Sequence, residues 1–347
     1  MARHVTSDHK EIFSALIQEQ AEQHHSAAAR SPAEIDNLWQ SVGAPNGINA
    51  FLIVKSDTHQ PVVAVTYFGC LNRHGLGLYL EDIVTTSTER NKGAGKYAMS
   101  VLAQIALDQG ASRIVWECAR SNDVAHRFYD HIGASRVDDR HTQRKLGLLP
   151  ADLKSVNSSV TVRRAKASDQ DFLRSSLIMS NAHEADAGAT LQKVNLATHK
   201  NNFIVAIAER NDGMPVGIAL AYRNFSTFRV ESGIHVDHIA FMEKNPNPDT
   251  AYAFLDYFAD LQRAKGWNGH FDFTVHSSTA DFWHPILMDC GVEPLAYGDD
   301  VMDVRHIFGP ALVDLAEGKH TLKAPQIMAN DNRLQAGLVR AMVPGQN

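Results

Sequence analysis

Cysteine is scarce in this 347-residue chain: Cys70, Cys118 and Cys290 are widely spaced and odd in number. That excludes a disulfide framework and reads as reduced core thiols of a cytoplasmic protein. Long apolar runs are also missing, and Met1 to Gln20 has no hydrophobic core of the signal-peptide kind, so no membrane partner is expected. HExxH and CxxC spacings do not occur, and no metal is expected despite 18 histidines. The nearest pair, His235 and His238 in "HVDH", falls on a predicted strand, whose alternation would send the two rings to opposite faces. Neither sign of charge dominates. The net charge is −6, with 15 Lys and Arg against 16 Asp and Glu in residues 1–150. That balance argues against a nucleic-acid partner and is compatible with a cationic one.

What is present fits a folded chain long enough for two domains, with 44% hydrophobic and 21% charged residues. Residues 10–29 carry apolar positions at helical spacing, and "AFLIVK" (Ala50–Lys55) and "PVVAVTYFG" (Pro61–Gly69) read as strands joined by a polar turn. A third strand, "LYLEDIV" (Leu78–Val84), runs into "ERNKGAGKYAM" (Glu89–Met99), which combines two glycines with three cations. A helix over Ala94–Gln109 follows, closed by Gly110, then a strand "RIVWEC" (Arg113–Cys118) and a short helix through "VAHRFYDHI". Glycines where a strand meets a helix let backbone N–H groups approach an anion, and the helix N-terminus adds positive potential. Phosphate is therefore the first ligand to consider, although glycine also simply ends strands.

The pattern then recurs. "FIVAIAERNDGMPVGIALAY" (Phe203–Tyr222) has the rhythm of "FLIVKSDTHQPVVAVTYF" (Phe51–Phe68), and "VDHIAF" (Val236–Phe241) follows "LEDIV" (Leu80–Val84) at an offset of 156 residues. Two copies of one α+β (mixed α/β) fold are expected, each a mostly antiparallel mixed sheet flanked by helices. The expected division is 1–150, a polar linker 151–160, a second copy 161–317, and a polar tail 318–347 at the periphery or an interface.

The first copy resembles the GNAT superfamily of acetyl-CoA-dependent N-acyltransferases, and within it the spermidine/spermine and diamine acetyltransferase branch. The resemblance rests on the R/Q-x-x-G-x-G/A signature at Arg90, Gly93 and Gly95, on "LED" before it and on "FYDHIGA" after it. It implies acetyl-CoA as cosubstrate and a small amine as acceptor. The loop residues Arg90, Asn91, Lys92, Gly93, Ala94, Gly95 and Lys96 would wrap the coenzyme's pyrophosphate. Ile83, Val84 and Thr85 would pair with the pantetheine arm, and Asn122 would contact the same arm. Tyr129 would protonate the departing thiolate as general acid. Glu81 would act as base toward the acceptor ammonium, through water, and Asp82 would hold a second cationic group. Adjacent strand residues face opposite ways, so both carboxylates reach one site only across a bulge.

Cys118 lies in a core strand with no base beside it, so direct transfer within a ternary complex is expected rather than an acyl-enzyme. "CLNRHGLGLY" carries Arg73 and His74 in place of extra carboxylates, which leaves diamines, amino-acid side chains and amine-bearing antibiotics all open as acceptors. Acetylation of a protein lysine or N-terminus, and a non-catalytic coenzyme A-binding module, stay open as other readings. The second copy has no glycine in "MEKNPNPDTAYAFL" (Met242–Leu255) and presents Trp283 where Tyr129 stands, so a structural or regulatory role is expected of it. The pair of copies would serve either as half of a homodimer or as an intrachain pseudo-dimer.

Overall fold

The computed structural model describes residues 2–5, 7–23, 31–44, 47–55, 57–150, 153, 160–179, 202–297 and 300–319. Most of the expected linker, and the tail beyond residue 319, lie outside the described residues. Among the described residues no helix is long and apolar enough to cross a membrane.

In chain order the first copy comprises β1 (Ala2–His4), α1 (Lys10–Gln23), α2 (Pro32–Ser41), β2 (Asn49–Val54), β3 (Pro61–Asn72), β4 (Gly75–Thr85), α3 (Ala94–Asp108), β5 (Arg113–Ala119), α4 (Asp123–His131), β6 (Ser135–Arg136) and β7 (Arg140–Leu146). The second comprises β8 (Val160–Arg164), α5 (Gln170–Met179), β9 (Phe203–Arg210), β10 (Pro215–Ser226), β11 (Glu231–Phe241), α6 (Pro248–Lys265), β12 (His270–His276), α7 (Ala280–Asp289), β13 (Glu293–Pro294), β14 (Ala296–Tyr297), β15 (Asp300–Phe308) and α8 (Gly309–Ala316). The central strands are almost continuously apolar because they are covered on both faces: β3 buries ten of its twelve residues. α6 has sequence-encoded ends, an Asn247 cap with Pro248 in its first turn and Gly266 in the left-handed conformation at its close.

The strands form two mixed sheets that do not follow the contiguous division of the sequence. One sheet runs β1-β2-β3-β4-β5-β15-β14, with β6 also on β15; the other runs β13-β7-β12-β11-β10-β9-β8. Each copy therefore gives its last long strand to the other. β15 pairs antiparallel with β5 from Met302↔Ala119 to Phe308↔Arg113, and β7 pairs antiparallel with β12 from His270↔Leu146 to His276↔Arg140. Ion pairs fix both exchanged strands to their hosts. Asp303 of β15 accepts from Arg120 at 3.1 Å and Arg136 at 2.9 Å, and Arg144 of β7 grips Asp272 with two hydrogen bonds of 2.6 and 2.8 Å. α8 follows β15 onto the first copy, where Ile307, Leu312 and Leu315 are buried in the core that also holds α3 and α4.

The copies share a further apolar core in which Phe13 and Leu16 of α1 join Leu173 and Leu177 of α5. At its centre Phe68 stacks on Tyr79 (4.9 Å between centroids) and Tyr222 stacks on His235 (4.8 Å), with Phe68 and Tyr222 6.3 Å apart. These stacks occupy matching places in the two copies, and the molecule has an internal pseudo-twofold at this point.

Candidate active site

The loop before α3 is curled by left-handed backbone at Asn91 (φ 61°) and Gly93 (φ 86°), a conformation open to asparagine and natural for glycine. Gly93 is the N-cap of α3, and no side chain caps it, so the first amides of this helix keep their donors. By contrast α2, α4 and α6 are capped by Ser31, Asn122 and Asn247. Gly95 stands between Thr85 and Phe128: an added Cβ would sit 3.4 Å from Thr85 Oγ1 and 3.6 Å from the Phe128 ring. Of the loop cations, Arg90 donates to the Thr85 carbonyl (3.1 Å) and pairs with Glu19 of α1 (2.7 Å). Lys92 sits 3.3 Å from Glu89, which also takes Lys55 at 2.6 Å. Burial lowers the Lys96 pKa. Uncapped amides, curled backbone and nearby cations fit a pyrophosphate.

β4 and β5 pair in parallel only at Leu78↔Ile114 and Tyr79↔Val115. Beyond that point β4 keeps β3 on one edge, while among the described residues Ile83, Val84 and Thr85 have no strand on the other. An extended ligand arm could complete the sheet there. Asn122 faces the same end of β5, with its Oδ1 occupied by the Ala125 amide at 3.0 Å.

Glu81 sits where the β3–β4 register skips a residue, Thr66 opposing Asp82 and Tyr67 opposing Leu80. This is the bulge that two working carboxylates would need, yet it separates them. Glu81 is half-buried at the start of the splay. Asp82 is buried, and its oxygens accept from Thr66 Oγ1 (2.5 Å) and Gln20 Nε2 (3.0 Å). The expected substrate-binding role for Asp82 is therefore corrected: its carboxylate is spent in the wall beneath α1, where it fixes the bulge.

Much of the surrounding chemistry comes from the other copy. The Thr227 amide, in the β10–β11 hairpin, donates to Glu81 Oε1 at 3.4 Å. Burial, and then the Asp82 charge, push the Glu81 carboxyl well above the usual range, against the pull of Arg144 on the exchanged strand β7. Glu117 on β5 is raised by burial and is held by hydroxyls of Thr142 on β7 and Tyr79. The sequence leaves Glu117 without a role, and nothing local predicts that Thr227, Arg144 and Thr142 reach this site. Tyr129 of α4 is buried, 4.8 Å from the Trp116 ring and 5.3 Å from that of Phe128. Burial raises its pKa and keeps the phenol protonated at neutral pH.

The second copy repeats this frame and fills it. Asp237, 156 residues after Glu81, is the extra residue of an equivalent bulge, Leu220 opposing His238 and Ala221 opposing Val236. The bulge flips the strand parity. His235 and His238 therefore share one face, with Thr274 2.8 Å from His235 and the His276 ring 6.1 Å from that of His238. This overturns the expectation of opposite faces. Among the described residues no group of three or more metal-ligating side chains forms. Phe241 takes the place of Thr85 and packs on Phe282 (5.5 Å) and Trp283 (5.8 Å), while Trp283 rests 4.6 Å from Phe273 as Tyr129 does beside Trp116. Aromatic rings thus fill the strand gap that stays open in the first copy. Arg73 and His74 lie at this second position too: the charges that act on Arg73 are Arg140, Asp139 and Asp237. The expectation that these two residues shape the first copy's acceptor site is corrected accordingly.

Residues 13–134, about a third of the chain and most of the first copy, match the acetyltransferase (GNAT) family. Among solved structures, the chain is similar to a GCN5-related N-acetyltransferase from Sphaerobacter thermophilus, with 14% identity, a TM-score of 0.50, and coverage of 89% of this chain and 95% of that one. It also matches a tandem GNAT protein from the clavulanic acid biosynthesis pathway, at 11% identity, a TM-score of 0.48, and coverage of 89% and 99%. No curated protein matches by sequence. The fold is a mixed α/β tandem GNAT architecture.

Proposed function

We propose that the first copy transfers an acetyl group directly from acetyl-CoA to a primary amine of a small cationic acceptor, such as a diamine, a polyamine or an amino-acid-like amine. The observation that carries this reading is the contrast of the two strand gaps: one open, with a glycine loop at its end, the other closed by aromatic rings. Loop amides from Gly93 onward, with Arg90, Lys92 and Lys96 nearby, would hold the pyrophosphate, and the edge of Ile83–Thr85 would align the thioester arm. Acetyl-CoA would supply the activated acyl group.

Glu81, with its raised pKa, is suited to take the proton of an ammonium through an intervening water. Tyr129, protonated at neutral pH, would return a proton to the thiolate side of the gap. Glu81 and Glu117 face the acceptor end, where Arg144 is already paired with Asp272, and this favours a cation. The hairpin carrying Thr227 would cover the acceptor, so a compact amine fits better than a peptide.

A thiol-release assay with acetyl-CoA against diamines, polyamines, lysine-like amino acids, aminoglycosides and lysine peptides tests the proposal. Turnover confined to small polycations is expected. Turnover on peptides alone, or bound acetyl-CoA with no turnover across the panel, would overturn it.

A further inference from the structure

The pseudo-twofold mate of the acceptor site is also built, and it gathers arginines. Arg140 of the exchanged strand β7 is nine-tenths buried, yet its buried Nε has no hydrogen-bond partner among the described residues. Its nearest carboxylate is the exposed Asp139, 3.8 Å from Nε. Arginine does not shed its proton when buried, and an unpaired buried charge is costly, so a charged group in this position is kept for a counter-ion. Arg140 lines a cavity of about 20 Å³ between the two sheets, together with Tyr79, Glu117, Asp237 and Thr274. That volume admits one water-sized group, such as a single oxygen of a larger anion.

Arg73, Arg113 and Arg140 all act on Asp237; with Asp139 beside them and Glu117 on the cavity wall, three guanidiniums gather among three carboxylates. Asp237 is the extra residue of the bulge, so it is held where Glu81 is held in the first copy, but among arginines. His276 Nε2 and His306 Nδ1 are buried ring nitrogens with no hydrogen-bond partner among the described residues. Both rings sit within the influence of Arg140 and His74, with Arg73 acting on His276 and Arg113 on His306, and each residue keeps part of its surface exposed. Burial keeps both rings neutral, so each offers one N–H.

We infer that this position is a binding site for a small oxyanion, a carboxylate or phosphate group, gripped by Arg140 and Arg73 with His276 and His306 beside them. Because Glu117 and Tyr79 line the same cavity, an occupant here touches the wall of the first copy's acceptor site.

Isothermal titration of the full chain with inorganic phosphate and with citrate, at low chloride, tests the site, and the readout needs no acetyl transfer. Saturable binding is expected, and loss of one charge-assisted contact in Arg140→Gln should weaken it about tenfold or more. Arg73→Ala, at the half-buried β3–β4 hairpin, should weaken it by a smaller factor and guards against misfolding of the more deeply buried variant. Gly93→Val separates the two anion sites: binding that survives Gly93→Val but fails in Arg140→Gln supports the inference. No saturable binding, binding unchanged in both arginine variants, or binding lost only in Gly93→Val would overturn it.

Discussion

The two copies keep the same backbone devices and put different chemistry on them. Both place an acidic residue at a bulge 156 positions apart, both stack two rings beside it, and both seat an aromatic pair from the following helix against the next strand. They part at the ends of the gap. The first copy has Thr85, a left-handed Gly93 and an uncapped helix; the second has Phe241, prolines and an Asn247 cap. A helix start that is capped by its own side chain has fewer donors to offer a phosphate, and a gap full of rings has no room for an arm. The comparison teaches that the fold is maintained by the strand core, while a few residues at the gap decide whether a ligand can enter.

The largest expected effect bears on the independence of the copies. A chain ended after residue 297 lacks β15 and α8, and with them the burial of Ile307, Leu312 and Leu315, on the order of 5 kcal/mol or more at about 1.5–3 kcal/mol per side chain. Expression of such a chain should give insoluble or unfolded protein by circular dichroism. A cooperatively folding product with the full chain's melting temperature would show that the exchanged strand is dispensable.

Next in size is the matched pair Tyr129→Phe and Trp283→Phe. Loss of a general acid should lower kcat by about 10²–10⁴-fold with coenzyme A affinity retained. Trp283→Phe should leave kcat within about twofold and cost about 1–3 kcal/mol in urea unfolding. Equal kinetic effects would erase the distinction between the copies.

Glu81→Gln and Asp237→Asn sharpen it through pH. The Glu81 carboxyl is raised, so its base form appears only as pH climbs past the ordinary glutamate range. The kcat/KM profile should fall on the acid side with an apparent pKa above 4.5, and this limb should vanish in Glu81→Gln. Asp237→Asn should keep it. An acid limb that persists in Glu81→Gln would assign the base elsewhere.

The smallest effect is on acid stability. Burial holds His235 and His276 down to about 4 and His238 to about 3, against 6.5 for an exposed ring. Below pH 6.5 the unfolded chain takes up protons that the folded one refuses, so stability falls as pH drops towards 4. Asp237, raised to about 6, opposes this between 3.8 and 6, as do the raised carboxyls of Glu81 and Glu117, while the lowered His270 and His306 add to it. His238→Phe should flatten the slope of unfolding free energy against pH, and an unchanged slope would place the proton uptake at other groups.

How much of this was legible in the sequence depends on the range of the interaction. Strand and helix order, the glycine loop, the 156-residue repeat and the replacement of Tyr129 by Trp283 are local or periodic signals, and each stands in the structure where the spacing puts it. The bulge was legible only as a need, since one extra residue in a strand leaves no mark in composition. The roles of Asp82, Arg73 and His74 were misread because a side chain's partners lie across the sheet or in the other copy. Asp82 is spent on Thr66 and Gln20, and the charge of Arg73 acts on Asp237.

The sequence by itself determined two copies of one mixed α/β fold and a phosphate-fitting loop in only the first, because backbone conformation, periodicity and glycine placement act over a few residues. Only the tertiary structure decided that β7 and β15 change places. Each forms a seven-residue antiparallel ladder with the edge of the other copy, and side-chain contacts such as Arg144 with Asp272 and Asp303 with Arg120, which lie more than 120 positions apart, fix the exchange. That exchange carries Arg144 and Thr142 to the acceptor site and Arg140 to its mate. The charge of each site is therefore set by residues that the linear order assigns to the other.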